Sequence, residues 1–237
     1  MTEPGRGGYM LDIHAHILPE VDDGARSRRQ ALQMLRAART AGIDTLVATP
    51  HLKQTKEDLS RIADAFCWLQ PRAQALGVRL LKGYEVSYQV LLDLPCSQLG
   101  RYCIGGTNLL LLELDAIHLF PQWNRVLGCL VRAGCEPVIA HPERCVYIQE
   151  HAEIIGKIRR IGCKIQIDAQ SFLKPPWSME RRTAGKILRK GWMDYIASDA
   201  HRPNDYKQFL LALHRLQGRL PTDVISPGDI CFLPSPL

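Results

Sequence analysis

Long apolar runs are missing from this chain. Nothing approaches the ~20 consecutive apolar residues needed to span a bilayer, and no apolar segment follows a basic one near the start. Membrane insertion and a secretory leader are therefore not expected. The eight cysteines stand singly, without a C-x-x-C pair or a zinc-ribbon spacing. They read as small buried residues of a reduced compartment, which makes a cytoplasmic protein the default. Aromatic residues make up only 7%, and no continuous basic run interleaves with them, so no nucleic-acid surface is expected. The net charge of +6 would suit an anionic substrate. Its paired cations (Arg28-Arg29, Arg159-Arg160, Arg181-Arg182, Arg189-Lys190) fall on expected helices and read as solvated faces. Low-complexity tracts and linkers are absent too, so the 237 residues are read as a leader over 1–9 and a single domain over 10–237.

What the chain does contain is a recurring unit of amphipathic helix, glycine and short strand. Ala31, Met34, Leu35 and Ala38 share one helical face, and Gly42 ends that helix before the strand-like Ile43–Ala48. Trp123, Val126, Leu127 and Leu130 make a second stripe ahead of Gly134 and Cys135–Ala140. Gly77, Gly162 and Gly191 stand in the same place before Val78–Leu81, Cys163–Ile167 and Trp192–Ala197. With Leu109–Leu112 and an opening strand near Met10, seven strands alternate with helices. Such alternation implies a parallel α/β sheet, because each strand needs a crossover helix. Seven units without a dinucleotide glycine fingerprint favour a (β/α)7 barrel over an open sheet. The proline-rich segment from Pro221 onward is expected to wrap the outside.

The polar residues gather at the ends of these strands, where α/β barrels carry their chemistry. The first strand runs into His14 and His16, whose i, i+2 spacing aims both imidazoles to one face of a strand. Asp22, Asp23 and Gly24 follow. The second strand ends in Thr49-Pro50-His51, the third in Gly83-Tyr84-Glu85 and the fourth in Glu113. The fifth ends in His141-Pro142-Glu143-Arg144 and the seventh in Ser198-Asp199-Ala200-His201. Five of the eight histidines occupy such ends, and His118, His151 and His214 lie elsewhere. Imidazole and carboxylate without thiolate suit Mn, Fe or Zn, and the ligands outnumber what one ion with an open position can use. Two or three ions are expected. Clusters of this kind activate water and clamp the attacking and leaving oxygens of a displacement at phosphorus. Arg144 ligates no metal, and its planar fork would either hold phosphate oxygens or tie down Glu143 or Asp168.

In these motifs the chain resembles the PHP (polymerase and histidinol phosphatase) superfamily. Within it, the chain is similar to the manganese-dependent protein-tyrosine phosphatases encoded with bacterial capsule and exopolysaccharide systems. Asp12-Ile13-His14-Ala15-His16-Ile17-Leu18-Pro19 with Val21-Asp22-Asp23-Gly24 looks like that family's first motif, and Ala48-Thr49-Pro50-His51 its second. Ala140-His141-Pro142-Glu143-Arg144 and Ala197-Ser198-Asp199-Ala200-His201 look like later ones. The resemblance implies a distorted seven-stranded PHP barrel and a cluster of two or three ions, Mn first, with Fe or Zn as alternatives. It implies one ion on His14, His16, Glu85 and Asp199, a second on Glu85, Glu113 and His141, and a third on Asp23, His51 and His201. Arg144, Glu85 and Asp199 would be the catalytic residues. The implied substrate is a phosphotyrosine-bearing protein, the tail of a bacterial tyrosine autokinase that controls polysaccharide assembly. The chain departs from the family pattern at Cys145, at Asp168–Gln170 and at Val86–Tyr88, all around the mouth of the expected site.

No cysteine is followed six positions later by arginine, so the C-x5-R cradle of cysteine-dependent tyrosine phosphatases is absent. Two other enzymatic readings stay open from the residues alone. One is a small-molecule phosphate monoesterase of the histidinol-phosphatase type. The other is an amidohydrolase, which also opens on His-x-His but fits Glu85 with Glu113 less well. A degenerate barrel that only binds a kinase would be marked by a lost ligand, and none is lost. The oligomeric state, a homo-oligomer included, is not readable.

Overall fold

Strand β1 (Met10–Ala15) lies beside β2 (Ile43–Ala48), which pairs in turn with β4 (Arg79–Lys82), all parallel. The computed structural model describes residues 10–54, 59–217 and 219–220. The expected leader over residues 1–9 and the expected wrapping segment from Pro221 lie outside the described residues. A six-stranded parallel sheet follows in the order β3 (His51–Leu52), β5 (Glu85–Ser87), β6 (Leu109–Glu113), β7 (Glu136–Ala140), β8 (Lys164–Asp168) and β9 (Tyr195–Ala197).

Two of these strands, β3 and β5, were not expected as separate elements. Each continues the strand before it after a break. Pro50 has no N–H to donate, so β2 stops at Ala48 and pairing resumes at His51. Gly83 does the same for β4, in a place where an added Cβ would lie 3.0 Å from Val47 Cγ1 and 3.1 Å from Ile104 Cγ1. The ladder crosses both breaks through Gly83 N–H to Ala48 O at 2.9 Å and Glu85 N–H to Pro50 O at 3.0 Å. Counted this way, the seven expected strands are all present, and the two sheets are one distorted barrel wall bent between them.

The wall is joined at its ends by specific contacts. Beside β4, Gly105 N–H donates to Lys82 O at 2.7 Å and Ile104 N–H to Leu109 O at 2.8 Å. Between β1 and β9 there is one parallel bridge, Ala15 to Ala200, and His16 N–H reaches Ala200 O at 2.9 Å. The buried carboxylate of Asp12 completes this seam. It accepts Ser198 N–H at 3.0 Å and Ser198 O–H at 2.5 Å, across 186 positions of sequence. Burial pushes the Asp12 carboxyl up to about 6 against the pull of these hydrogen bonds. The ninth strand is shorter than expected because Asp194 satisfies its neighbour with its side chain, accepting Ile165 N–H at 2.8 Å.

Alternating strand residues fill the inside: Leu11 and Ile13, Leu109 and Leu111, Val138 and Ala140 belong to one small buried cluster. The helices cover the outside with the expected stripes. Helix α1 (Arg28–Thr40) buries Ala31, Met34, Leu35 and Ala38, and its Ser27 cap accepts Gln30 N–H at 3.2 Å. Further round come α2 (Leu59–Ala75), α3 (Tyr88–Asp93), α4 (Trp123–Arg132), α5 (Val146–Glu150), α6 (Ile154–Ile161), α7 (Met179–Arg189) and α8 (Asp205–Leu216). Gly162 closes α6 at φ 110°, a left-handed position that leads straight into β8. Among the described residues no helix is long and apolar enough to cross a membrane.

The Asp12 seam gives a stability prediction. Asp12→Ala leaves the buried Ser198 N–H and O–H without their acceptor, so metal-free protein should lose about 1–3 kcal/mol of stability. Urea unfolding after chelator treatment checks this, and an unchanged midpoint would show that the seam closes without Asp12.

Candidate metal centre

The end of β1 does not continue in simple alternation. Its register against β2 slips between Asp12 and Ala15, and a slip of this kind re-aims the side chains beyond it. The Nε2 atoms of His14 and His16 then come to 3.2 Å from each other. Two imidazole nitrogens at that separation cannot both be protonated without repulsion. Their outer nitrogens are already engaged: His14 Nδ1 with Gln166 Oε1 at 3.0 Å, and His16 Nδ1 with Asp22 Oδ2 at 2.7 Å. Both acceptors favour Nδ1–H, which leaves the two Nε2 lone pairs facing one point.

Two carboxylates from other strand ends complete this point. Asp199 Oδ1 lies 3.2 Å from both Nε2 atoms, and Glu85 Oε2 lies 3.4 Å from His14 and 3.3 Å from His16. An ion about 2.1 Å from each ligand needs ligand–ligand edges of roughly 3.0–3.4 Å, from octahedral to tetrahedral. The four atoms have that spacing. Glu85 Oε2 and Asp199 Oδ1 are buried and have no hydrogen-bond partner, as is His51 Nδ1. Buried acceptors without donors are costly, and a cation at their common centre removes the cost. The donor set fits a divalent ion.

The remaining groups surround Glu85 and Asp23. The other oxygen of Glu85, Oε1, lies 2.7 Å from His141 Nε2. His51 turns Nδ1 to Glu85 Oε2 at 2.9 Å and to Glu113 Oε2 at 3.8 Å. Its Nε2 faces Asp23 Oδ1 at 3.4 Å, and His201 Nε2 reaches the same oxygen at 3.5 Å. His201 Nδ1 is taken by the Asp199 carbonyl at 2.9 Å, and its ring stacks on His16 with centroids 4.1 Å apart. Four overlapping groups could each hold an ion: His14, His16, Asp199; His14, Glu85, His141; His51, Glu85, Glu113; and His16, Asp23, His51, His201. All nine residues expected as ligands are therefore brought together. His51 stands between two of the groups, a placement the sequence did not suggest.

Backbone strain accompanies the side-chain crowding. His141 has φ 29° and Asp199 φ 45°, in the region that side chains other than glycine rarely adopt. In the loop after β1, Gly24 lies so close that an added Cβ would be 2.0 Å from His16 O. Its N–H donates to Asp22 Oδ1 at 3.0 Å, which orients the other oxygen toward His16. Asp22 and Gln166 are the functional residues that sequence reasoning did not single out. Their signals were faint: a second Asp beside a ligand, and an amide inside an otherwise apolar strand.

The fork of Arg144 is occupied by two carboxylates in this structure. Nη1 contacts Asp199 Oδ2 at 2.7 Å, and Nη2 pairs with Asp168 Oδ2. Glu143 does not meet this fork. Its Oε1 accepts Asp168 N–H at 2.9 Å and Ser171 O–H at 2.7 Å, and burial, reinforced by the nearby Asp168, lifts its carboxyl to about 7. Arg144 still lines the open mouth of the site, a cavity of about 670 Å³ shared with Arg26, Lys174 and Arg202. Cys145, beside it, is buried, and burial raises its thiol.

The electrostatics say what occupies the centre when no ion does. Burial pushes the carboxyls of Glu85 and Asp199 up, but the His14 charge and the contacts with neighbouring imidazoles hold both well below the usual range. The same carboxylates carry His14 up to about 9 against its burial, and lift His16 well above the ordinary imidazole value. The carboxylates thus draw protons to this imidazole pair, and an ion has to displace them. Since His14 is protonated below about pH 9 and His16 is lifted well above the ordinary imidazole value, affinity for manganese should rise with pH through the neutral and mildly basic range. The expected slope is about tenfold per pH unit for each proton displaced. Calorimetric titration at pH 6.5 and 8.5 in buffers of different ionisation enthalpy reads both quantities; a constant Kd without proton release would contradict this balance. Gly24→Ala should lower metal content and leave a folded barrel, because the clash falls on the loop carrying Asp22 and Asp23. Elemental analysis beside a circular dichroism melt checks it.

Comparison with known proteins agrees with this geometry. The model of the family described as "Capsular polysaccharide synthesis, CpsB/CapC" matches residues 10–212. The putative tyrosine-protein phosphatase CapC of Staphylococcus aureus is 29% identical, over 81% of this chain and 77% of its own length. The tyrosine-protein phosphatase YwqE of Bacillus subtilis (strain 168) is 30% identical over the same shares. A solved structure from the description of YwqE and of CpsB from Streptococcus pneumoniae, unique metal-dependent tyrosine phosphatases, superposes with a TM-score of 0.74. It is 27% identical and is covered to 87%, as is this chain. With 203 consecutive residues matched, and with the histidine and carboxylate strand ends converging as they do, this chain belongs to the CpsB/CapC family of capsular polysaccharide synthesis.

Proposed function

We propose that this protein is a metal-dependent protein-tyrosine phosphatase acting on a phosphotyrosine-bearing protein partner. The observation that carries the reading is the convergence of four strand ends on the orphaned oxygens of Glu85 and Asp199, beside an open mouth lined by Arg144. The relatives' names supply the substrate class. In this reading His14, His16, Glu85 and Asp199 hold one ion, Glu85, Glu113 and His141 a second, and Asp23, His51 and His201 a third. Manganese is the first choice for these nitrogen and oxygen ligands, with Fe or Zn as alternatives. When bound, the cluster supplies a Lewis acid and a nucleophile derived from water at neutral pH.

The protein's own residues do the rest. Asp22 and Gln166 fix the tautomers of His16 and His14, and so keep both Nε2 lone pairs directed inward. Glu85 uses both oxygens, one toward His14 and His16 and one toward His141, as a bridging carboxylate must. Arg144 exchanges its Asp168 contact for phosphoryl oxygens and keeps its contact with Asp199. The fork then gains strength as charge grows on the phosphoryl group. The partner we favour is the tail of a cytoplasmic tyrosine autokinase that governs polysaccharide assembly.

Three outcomes are expected. Protein prepared without chelator should contain two or three divalent ions, and its turnover of a phosphotyrosine peptide should vanish with a chelator and survive thiol alkylation. A Cys-to-Ser substitution that abolished turnover with metal still bound would overturn the mechanism. Glu85→Ala should lose more metal than Glu113→Ala, because the bridge also screens two cations from each other; equal content in the two variants would remove Glu85 from that role. Arg144→Ala should lower kcat about 10²–10³-fold with metal content near wild type. Loss of activity only through lost metal would instead make Arg144 a support for Asp199.

A further inference from the structure

A cavity of about 760 Å³ lies away from the metal centre, between α7 and α8. Six cations line it, Arg181, Arg182, Lys186, Arg189, Arg215 and Arg219, and no carboxylate does. Lys186 has a distant partner in Glu153 at 3.7 Å. Arg182, Arg189, Arg215 and Arg219 are exposed and have no ion pair among the described residues. Four unpaired guanidinium groups around one concavity repel one another, and an anionic occupant relieves that repulsion. The more buried part of its lining is apolar, with Phe172, Leu188 and Leu216. Apolar side chains beneath a basic rim suit a polypeptide carrying both acidic and apolar side chains better than a single-stranded nucleic acid, whose bases would stack on aromatics.

The groove is separated from the mouth of the metal centre by one short segment. Lys174 and Glu180 line the mouth, while Pro176, Met179 and Arg181 line the groove, so residues 174–181 form the ridge between them. Arg181 Nη1 donates to Lys174 O at 2.8 Å and ties the two sides of that ridge together. On the crest Trp177 is 79% exposed and Met179 44%. A large apolar pair left in water at this point marks a contact surface.

We infer that the groove between α7 and α8, reached over Trp177, docks an acidic peptide segment that flanks the phosphotyrosine of the protein substrate. The inference rests on the phosphatase reading above, and extends it to how a protein substrate is told from a small phosphate ester. Docking outside the reacting centre should appear in KM for the protein substrate and leave the chemistry on a small ester alone.

The test uses the manganese-loaded full chain and a charge-reversed variant, Arg182→Glu with Arg219→Glu, both positions being exposed and outside the metal centre. Three substrates are compared: p-nitrophenyl phosphate, a phosphotyrosine peptide with acidic flanks, and the same peptide with neutral flanks. The variant should raise KM for the acidic peptide about tenfold or more, within the 10–10³ range that charge steering spans. Its constants for p-nitrophenyl phosphate and the neutral peptide should stay within about twofold. Added salt should raise the wild-type KM for the acidic peptide and close the gap. Trp177→Ala should weaken the acidic peptide without touching p-nitrophenyl phosphate. Equal KM in wild type and variant, or equal damage on both peptides, would overturn the inference. So would a wild-type dimer that the variant dissociates, because a second copy would then fill the groove. Fluorescence anisotropy of the unphosphorylated acidic peptide separates the two failures: if no substrate is turned over, the phosphatase reading fails, while peptide bound by wild type and not by the variant still supports the groove.

Discussion

The structure depends on keeping two carboxylates, Glu85 and Asp199, almost fully buried within 3.4 Å of two imidazole nitrogens. Neither oxygen that faces the centre is paired in a hydrogen bond, and each has imidazole nitrogens as its neighbours. An isolated buried charge of this kind would be shed by protonation. Here the neighbouring histidines take the protons, so both carboxylates stay ionised and the charge is held in reserve for cations. The strand ends bring like charges together, and the ion is what makes that arrangement favourable.

Much of the irregularity of the barrel follows from this demand. A regular wall would let neighbouring strand ends splay their side chains evenly round the rim. Instead β1 slips register between Asp12 and Ala15, Pro50 interrupts the second strand before His51, and Gly83 interrupts the third before Glu85. His141 and Asp199 sit at positive φ. Each departure falls within a few residues of an expected ligand, which fits the general placing of strain at functional sites. The Asp12–Ser198 contacts tie the end of β9 to β1 against it, and the helices cover the wall from outside.

Around the centre, charge is sorted by distance. The inner groups are acidic and imidazole, the mouth mixes Arg26, Arg144, Lys174 and Arg202 with carboxylates, and the groove beyond the ridge is basic. Arg144 is the hinge of this arrangement, since the same fork contacts Asp199 in the centre and faces the mouth.

The sequence by itself determined the repeating unit and the types of ligand. Helical stripes such as Ala31–Ala38, glycines such as Gly162 and apolar strands are local signals, and they place histidine and carboxylate at strand ends without further help. Local signals also fixed the short spacings, His14 to His16 and Asp199 to His201. Tertiary structure decided the rest, because it depends on residues far apart in the chain. Gln166 is a plain strand amide until β8 brings it to His14, 152 positions away. Asp12 looks like one more carboxylate of the first motif, yet it is spent on closing the wall and not on the centre. Whether Arg144 faced Glu143 or Asp168 could not be read from adjacency, since the turn after His141 sends neighbouring side chains in different directions. The basic groove was hidden for the opposite reason. Its arginines were visible in the sequence as solvated faces, and only the packing of α7 and α8 against the segment Ala169–Leu173 gathers them round one cavity.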